Sequence, residues 1–149
     1  MTIKQRTYKH DSDFDKVSQL LVDTYYDPKT PQNGHINWLQ SRWEYMNFHP
    51  LIKDVNREAI GVWESDGEIV GVVHPEHPGS PTYFEIRQGF ESLKSEMLEY
   101  AIEHFDTTEV NHAGIYLMGG DNEFAQIASD AGYSKVLNTE PMSMVSVDG

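Results

Sequence analysis

Apolar positions recur at helical spacing in the first part of the chain and alternate, as in strands, through its middle. A short alternating stretch from Ile3 to Thr7 predicts an opening strand. Asp11 or Ser12 is suited to cap a helix whose apolar face would be Phe14, Val17, Leu20 and Leu21, spaced three or four apart. Asp27–Gly34, with Pro28 and Pro31, breaks both periods and reads as a loop. A second helix, rich in aromatics, is expected from about Asn37 to Phe48, stopping at His49-Pro50.

From Ala59 the pattern becomes that of strands. Ala59–Glu64 and Glu68–His74 flank Ser65-Asp66-Gly67, a hairpin signal. A loop containing Pro75, Pro78, Gly79 and Pro81 leads to a β-rich run, Thr82–Arg87. After Gly89, the positions Phe90, Leu93, Met97, Tyr100, Ala101 and Phe105 mark the clearest helix. Ala113–Met118 reads as an apolar strand and Gly119-Gly120 as a turn. Asp121 or Asn122 would cap a helix carrying Phe124, Ile127, Ala128 and Ala131, with Gly132 as its stop. Ser134–Leu137 and Met142–Val147 are the last expected strands. The order β-α-α-β-β-β-α-β-α-β-β predicts one α/β (α+β) domain over residues 1–149, with a mixed, mostly antiparallel sheet and helices on both faces.

Composition narrows the chemistry. The 149 residues include no cysteine, which excludes disulfides, thiolate zinc sites and a cysteine nucleophile. The charged N-terminal stretch is unlike a signal peptide, and no apolar run approaches the ~18 residues of a membrane span, so a cytoplasmic chain is expected. The net charge of −13 is unevenly spread. Residues 1–58 balance 8 basic against 8 acidic side chains, whereas residues 59–149 hold 3 basic (Arg87, Lys94, Lys135) against 16 acidic, which accounts for 3 − 16 = −13. Such a surface argues against nucleic acid and anionic membranes as partners, because both are held by cations meeting phosphates. A solvated face or attraction of a cationic substrate would each account for the acidic excess.

The element order and several local runs resemble the GNAT acyltransferase family. Ile60–Val73, with its short turn followed by Glu-Ile-Val-Gly, is similar to that family's second and third strands. Asn122-Glu-Phe-Ala125 with Gly132-Tyr133 is similar to its late helix, and Ser95-Glu-Met-Leu98 to its central helix. The resemblance implies an acetyl-CoA cofactor met by Ile86, Arg87, Gly89, Ser92, Lys94, Ser95 and Asn122, and a small amine as acceptor. It also implies that the first two helices line the acceptor side, so that Tyr25, Tyr26, Trp38 and Trp43 are candidate substrate contacts. Core packing and contact with a second domain are the other roles open to that aromatic cluster.

Three departures bear on the cofactor. In the family's loop (Gln/Arg)-x-x-Gly-x-(Gly/Ala), backbone N–H groups approach the coenzyme A pyrophosphate. Here Gly89 stands at the first position, and Ser92 and Lys94 replace the two glycines. Ala128 stands where the family often carries a proton-donating tyrosine. After Arg87 only 2 basic residues remain against 11 acidic ones. The pattern implies weak or absent coenzyme A binding, as in the non-catalytic N-terminal half of a two-domain GNAT protein, paired with a second GNAT domain or with itself. The alternatives are an active, diverged acetyl-CoA-dependent N-acetyltransferase and a standalone small-molecule or protein binding domain.

Two further constellations carry chemistry. Glu85, on the fourth expected strand, is the candidate catalytic base, sharing a face with Tyr83, while Arg87 is its expected ion-pair partner if the role is structural. His74-Pro-Glu-His77 has the ligand types of a metal site, but its prolines and lack of a third nearby ligand favour a polar loop, and no metal is expected. There is no Ser-His-Asp spacing, phosphate loop or dinucleotide fingerprint.

Overall fold

The computed structural model describes residues 2–24, 40–48, 59–76, 80–105, 114–117 and 121–133. Strands β1 (Ile3–Thr7), β2 (Gly61–Ser65), β3 (Glu68–Pro75) and β4 (Thr82–Ile86) form one antiparallel sheet in the order β1-β2-β3-β4. Helices α1 (His10–Asp23) and α2 (Gln40–Phe48) pack on one face, and α3 (Lys94–His104) and α4 (Asn122–Asp130) on the other. The expected mixed α/β architecture, with Ala59–Arg87 as three neighbouring antiparallel strands, is the one found. Among the described residues, no helix is long and apolar enough to cross a membrane.

The hairpin closes at Asp66-Gly67, both with positive φ (52° and 82°), the two-residue geometry that matches strand twist. One feature of β3 departs from simple alternation. Trp63 pairs with Gly71 but Glu64 pairs with Ile69, so Val70 is an extra residue, a β-bulge. Val70 and Gly71 consequently both lie on the α3 side, and Val72 returns to the α1 side. The two cores therefore divide the strand residues: Val62, Ile69, Val72 and Tyr83 beneath α1 and α2; Trp63, Val70, Val73 and Phe84 beneath α3 and α4.

Close approach of α3 depends on Gly61. A Cβ there would stand 2.6 Å from the Tyr100 ring, so any other residue would push α3 off the sheet. Tyr100 seals this contact by donating its hydroxyl to the Ala59 carbonyl at 2.6 Å, and burial pushes its phenol above the ordinary range. After β4, Gly114–Leu117 runs parallel to it: the Thr82 N–H donates to Gly114 O, and the Tyr116 N–H donates to Thr82 O. That pairing lies within the strand expected over Ala113–Met118; Ala113, Met118, Gly119-Gly120, Ser134–Leu137 and Met142–Val147 lie outside the described residues, as do positions 37–39 of the second helix.

The start of α1 corrects the sequence reading. Neither Asp11 nor Ser12 caps it: the helix begins at His10, with Lys9 at the cap position and no side-chain cap bond. The reason is Asp13. Its buried carboxylate accepts the Lys9 N–H at 2.8 Å and two bonds from Arg6, at 2.6 and 2.8 Å, while Arg6 also reaches Glu64 at 3.2 Å. One guanidinium thus joins β1, α1 and β2. At Asp13 burial pushes the carboxyl up, but the bonds and charge of Arg6 with the Lys9 amide outweigh it, and the net direction is down. The same bonds to Asp13 and Glu64 raise Arg6, and Glu64 is lowered chiefly by its bond from Arg6.

A carboxyl depressed on folding stabilises the fold above its unfolded value, and that stability is lost as pH falls through the folded one. Urea unfolding should therefore show a loss that begins as pH drops below ~3.9 and continues at lower pH. Asp13→Asn should cost about 2 kcal/mol at neutral pH and flatten the acid limb; an acid limb identical to wild type would contradict the Arg6 clamp.

Candidate functional site

Two groups of polar residues meet the candidate chemistry, one on each face of β4. On the α1/α2 face, Glu85 is buried rather than exposed, and its Oε2 lies 2.8 Å from His74 Nε2 on β3. Register explains the meeting. His74 pairs with Tyr83, so Glu85, two residues further along β4, is its diagonal neighbour on the same face. The other His74 nitrogen, Nδ1, is 3.0 Å from the Pro75 carbonyl. Tyr83 stacks on the His74 ring at 5.8 Å, and Trp43 from α2 meets it edge-on at 5.5 Å. Trp43 Nε1 and Glu85 Oε1 are buried without a hydrogen-bond partner among the described residues.

Arg87 does not pair with Glu85, correcting the sequence expectation. It follows β4 on the same face but reaches outward to Asp23 at the end of α1, at 2.7 Å. Asp23 is half-exposed there, where an ion pair needs no desolvation of a buried partner, whereas Glu85 is already taken by His74. The metal-like run is also dispersed: His74 faces Glu85, and Glu76 pairs with Arg42 of α2 at 3.0 Å. His77 lies outside the described residues, among which no group of three or more metal-ligating side chains gathers.

On the other face lies the segment matched to the coenzyme A loop. Gly89 has φ of 95°, and a Cβ placed on it would meet nothing within 4 Å; the glycine serves the turn, not close approach to a neighbour. The chain then makes a single 3-10 turn, Glu91–Leu93, before α3 proper. Both oxygens of Glu91 stand 3.0 Å from the Gly89 N–H, which donates to that carboxylate. Lys94 is buried, its ammonium 2.9 Å from Asp121, 3.5 Å from Glu123 and 5.9 Å from the Phe124 ring centre. Asp121, the N-cap of α4, also accepts the Phe124 N–H at 3.0 Å. One carboxylate therefore both caps α4 and holds the α3 lysine.

Of the other sequence candidates, Ser92, Ser95 and Asn122 are exposed, and Ile86 packs partly buried beside the α3/α4 core. Ala128 is buried in that core with Tyr133 packed against it. Trp43 is fully buried between Tyr8, Phe14 and His74. Tyr25, Tyr26 and Trp38 lie outside the described residues. The sequence reading missed His74 as the partner of Glu85; strand alternation would have found it once the β3–β4 register was known.

The double role of Asp121 has a measurable signature. Asp121→Asn keeps an acceptor for the Phe124 N–H and loses the charge facing Lys94, whereas Asp121→Ala loses both. In urea unfolding the alanine variant should be less stable than the asparagine variant by about 1 kcal/mol; equal stabilities would contradict the capping role. Among known proteins, no family model matches the chain, and no curated protein matches it significantly.

Proposed function

We propose that this chain is a GNAT-like domain whose coenzyme A loop has been rebuilt as internal polar contacts, and that it plays a supporting, non-catalytic part beside a second GNAT domain or a second copy of itself. The observation that carries this reading is the occupancy of the loop. A pyrophosphate would need free backbone donors and a free cation. The Gly89 amide is already given to Glu91, and Lys94 is already neutralised by Asp121 and Glu123. An incoming phosphate would have to displace carboxylates that sit at bonding distance and would meet their repulsion as well. Ala128, packed in the core, offers no proton.

α2 supports the partner half of the reading. Trp43 and Met46 point into the core, while Tyr45 and Phe48 expose large aromatic surface on the opposite side of the same helix. A second reading, an active N-acetyltransferase acting on a small amine, draws on buried Glu85 with its unmet Oε1 as the base. That carboxylate already engages His74, which counts against its freedom to take a proton from an amine.

Calorimetric titration with acetyl-CoA at low salt tests the reading. The expected result is no saturable heat at micromolar ligand, with sedimentation showing association that Phe48→Glu abolishes. Micromolar binding would overturn the rebuilt-loop reading and promote the acetyltransferase. A chain monomeric at every concentration would remove self-association and leave only a separate partner domain.

A further inference from the structure

The outer side of the α1–α2 layer combines exposed apolar anchors with an acidic rim. Phe48, the last residue of α2, is 66% exposed even though its ring meets Phe14 edge-on at 5.1 Å and the His10 ring at 6.0 Å. Phe14 is half-buried on the same side of α1 as exposed Val22, eight residues further on, which is about 12 Å along the helix. The groove between the two helices therefore carries apolar anchors about two helical turns apart, a spacing that the apolar stripe of a third helix can match.

The rim carries one sign of charge. Asp11 and Asp15 are exposed on the Phe14 side of α1, and exposed Glu44 lies one turn before Phe48 on α2. Among the described residues, none of these three carboxylates has an ion-pair or hydrogen-bond partner. The arginines of this layer are engaged elsewhere, Arg6 by Asp13 and Glu64, Arg42 by Glu76 and Arg87 by Asp23. Lys16 acts on Asp13 and Glu64 from the other side of α1, and Lys9 precedes the helix at its cap position. A second copy does not complement such a rim. The exposed face of α3 holds Glu96, Glu99 and Glu103, so its helices would set carboxylates against carboxylates.

We propose that the outer α1–α2 groove docks a basic amphipathic helix of the partner domain. Its apolar side chains would lie on Phe14, Phe48 and Val22, and its lysines or arginines would meet Asp11, Asp15 and Glu44. This assignment deepens the supporting role proposed for the chain, on which it rests, by giving that role a docking surface. Apolar burial supplies the attraction, and the rim selects the sign of the partner. A second copy reaching the same rings does so against like charge, so that association strengthens with salt, whereas the basic helix is held less tightly as salt rises.

Fluorescence anisotropy of a labelled amphipathic peptide, titrated with the full chain at low salt, tests the groove. The probe has about 18 residues, long enough to hold a helix, with a leucine stripe flanked by lysines. Saturable binding is expected, weakened about tenfold by Phe48→Ala and about as much by Asp11→Asn, Asp15→Asn and Glu44→Gln together. Glu96→Gln, Glu99→Gln and Glu103→Gln together, which remove the same charge from α3, should leave it unchanged. All of these positions are exposed, so the variants are expected to fold. Absence of binding, or equal loss with both triple variants, would overturn the groove. Equal binding of the same peptide with glutamate in place of lysine would overturn the role of the rim. Sedimentation in which self-association excludes the peptide would make a second copy the occupant and overturn the choice of partner. Micromolar acetyl-CoA binding with peptide docking intact would instead overturn the loop reading alone.

Discussion

The sheet is covered on both faces, and that constraint organises the polar chemistry of the molecule. Six successive residues of β3, Ile69–His74, are buried. A polar side chain placed on such a strand has little water to solvate it and must find its partner inside the protein. His74 meets Glu85 for that reason, and buried Asp13 takes Arg6 and the Lys9 amide at the outer edge of the same face. On the opposite face, the one buried lysine among the described residues, Lys94, is met by Asp121 and Glu123. These pairings join β3 to β4, β1 to α1 and α3 to α4, so partnering of buried charge also fixes the tertiary arrangement.

Burial on both sides also explains how the helix-facing surface of β4 leads into the loop before α3. The bulge at Val70 turns two successive residues toward α3, Gly61 admits the Tyr100 ring, and the helix settles close to the sheet. Its N-terminal end then lies beside the start of α4, where Lys94 and Asp121 join the two. The half of the chain that builds this corner carries the whole net negative charge, and its loop amide is satisfied by Glu91 from within. The functional proposal follows from this arrangement: the Gly89 amide and the Lys94 ammonium already have carboxylate partners.

Local signals in the sequence made much of this legible. The Asp66-Gly67 turn, the three neighbouring strands, the apolar stripe of α3, a cap at Asp121 or Asn122 and the face shared by Tyr83 and Glu85 all follow from short-range rules, and all are present, the cap at Asp121. What escaped were choices among distant partners. Asp11 and Ser12 are as good caps by composition as any residue, but Asp13 is bound by an arginine from the preceding strand, and the helix starts earlier. Arg87, the expected partner of Glu85 if that residue's role is structural, instead reaches across to α1. The His74–Glu85 pairing needs the β3–β4 register, and the Pro75–Pro81 connection does not disclose that by spacing alone.

The central claim is that the Gly89 loop is closed to a phosphate by its own carboxylate. A residue-resolved NMR titration of the full chain with coenzyme A at low salt tests it most directly, by following the backbone amides of Gly89, Ser92, Leu93 and Lys94. If Glu91 holds the Gly89 amide and Lys94 stays with Asp121, these resonances should keep their positions through millimolar ligand. A saturable shift of Gly89 together with the first turn of α3 would contradict the claim.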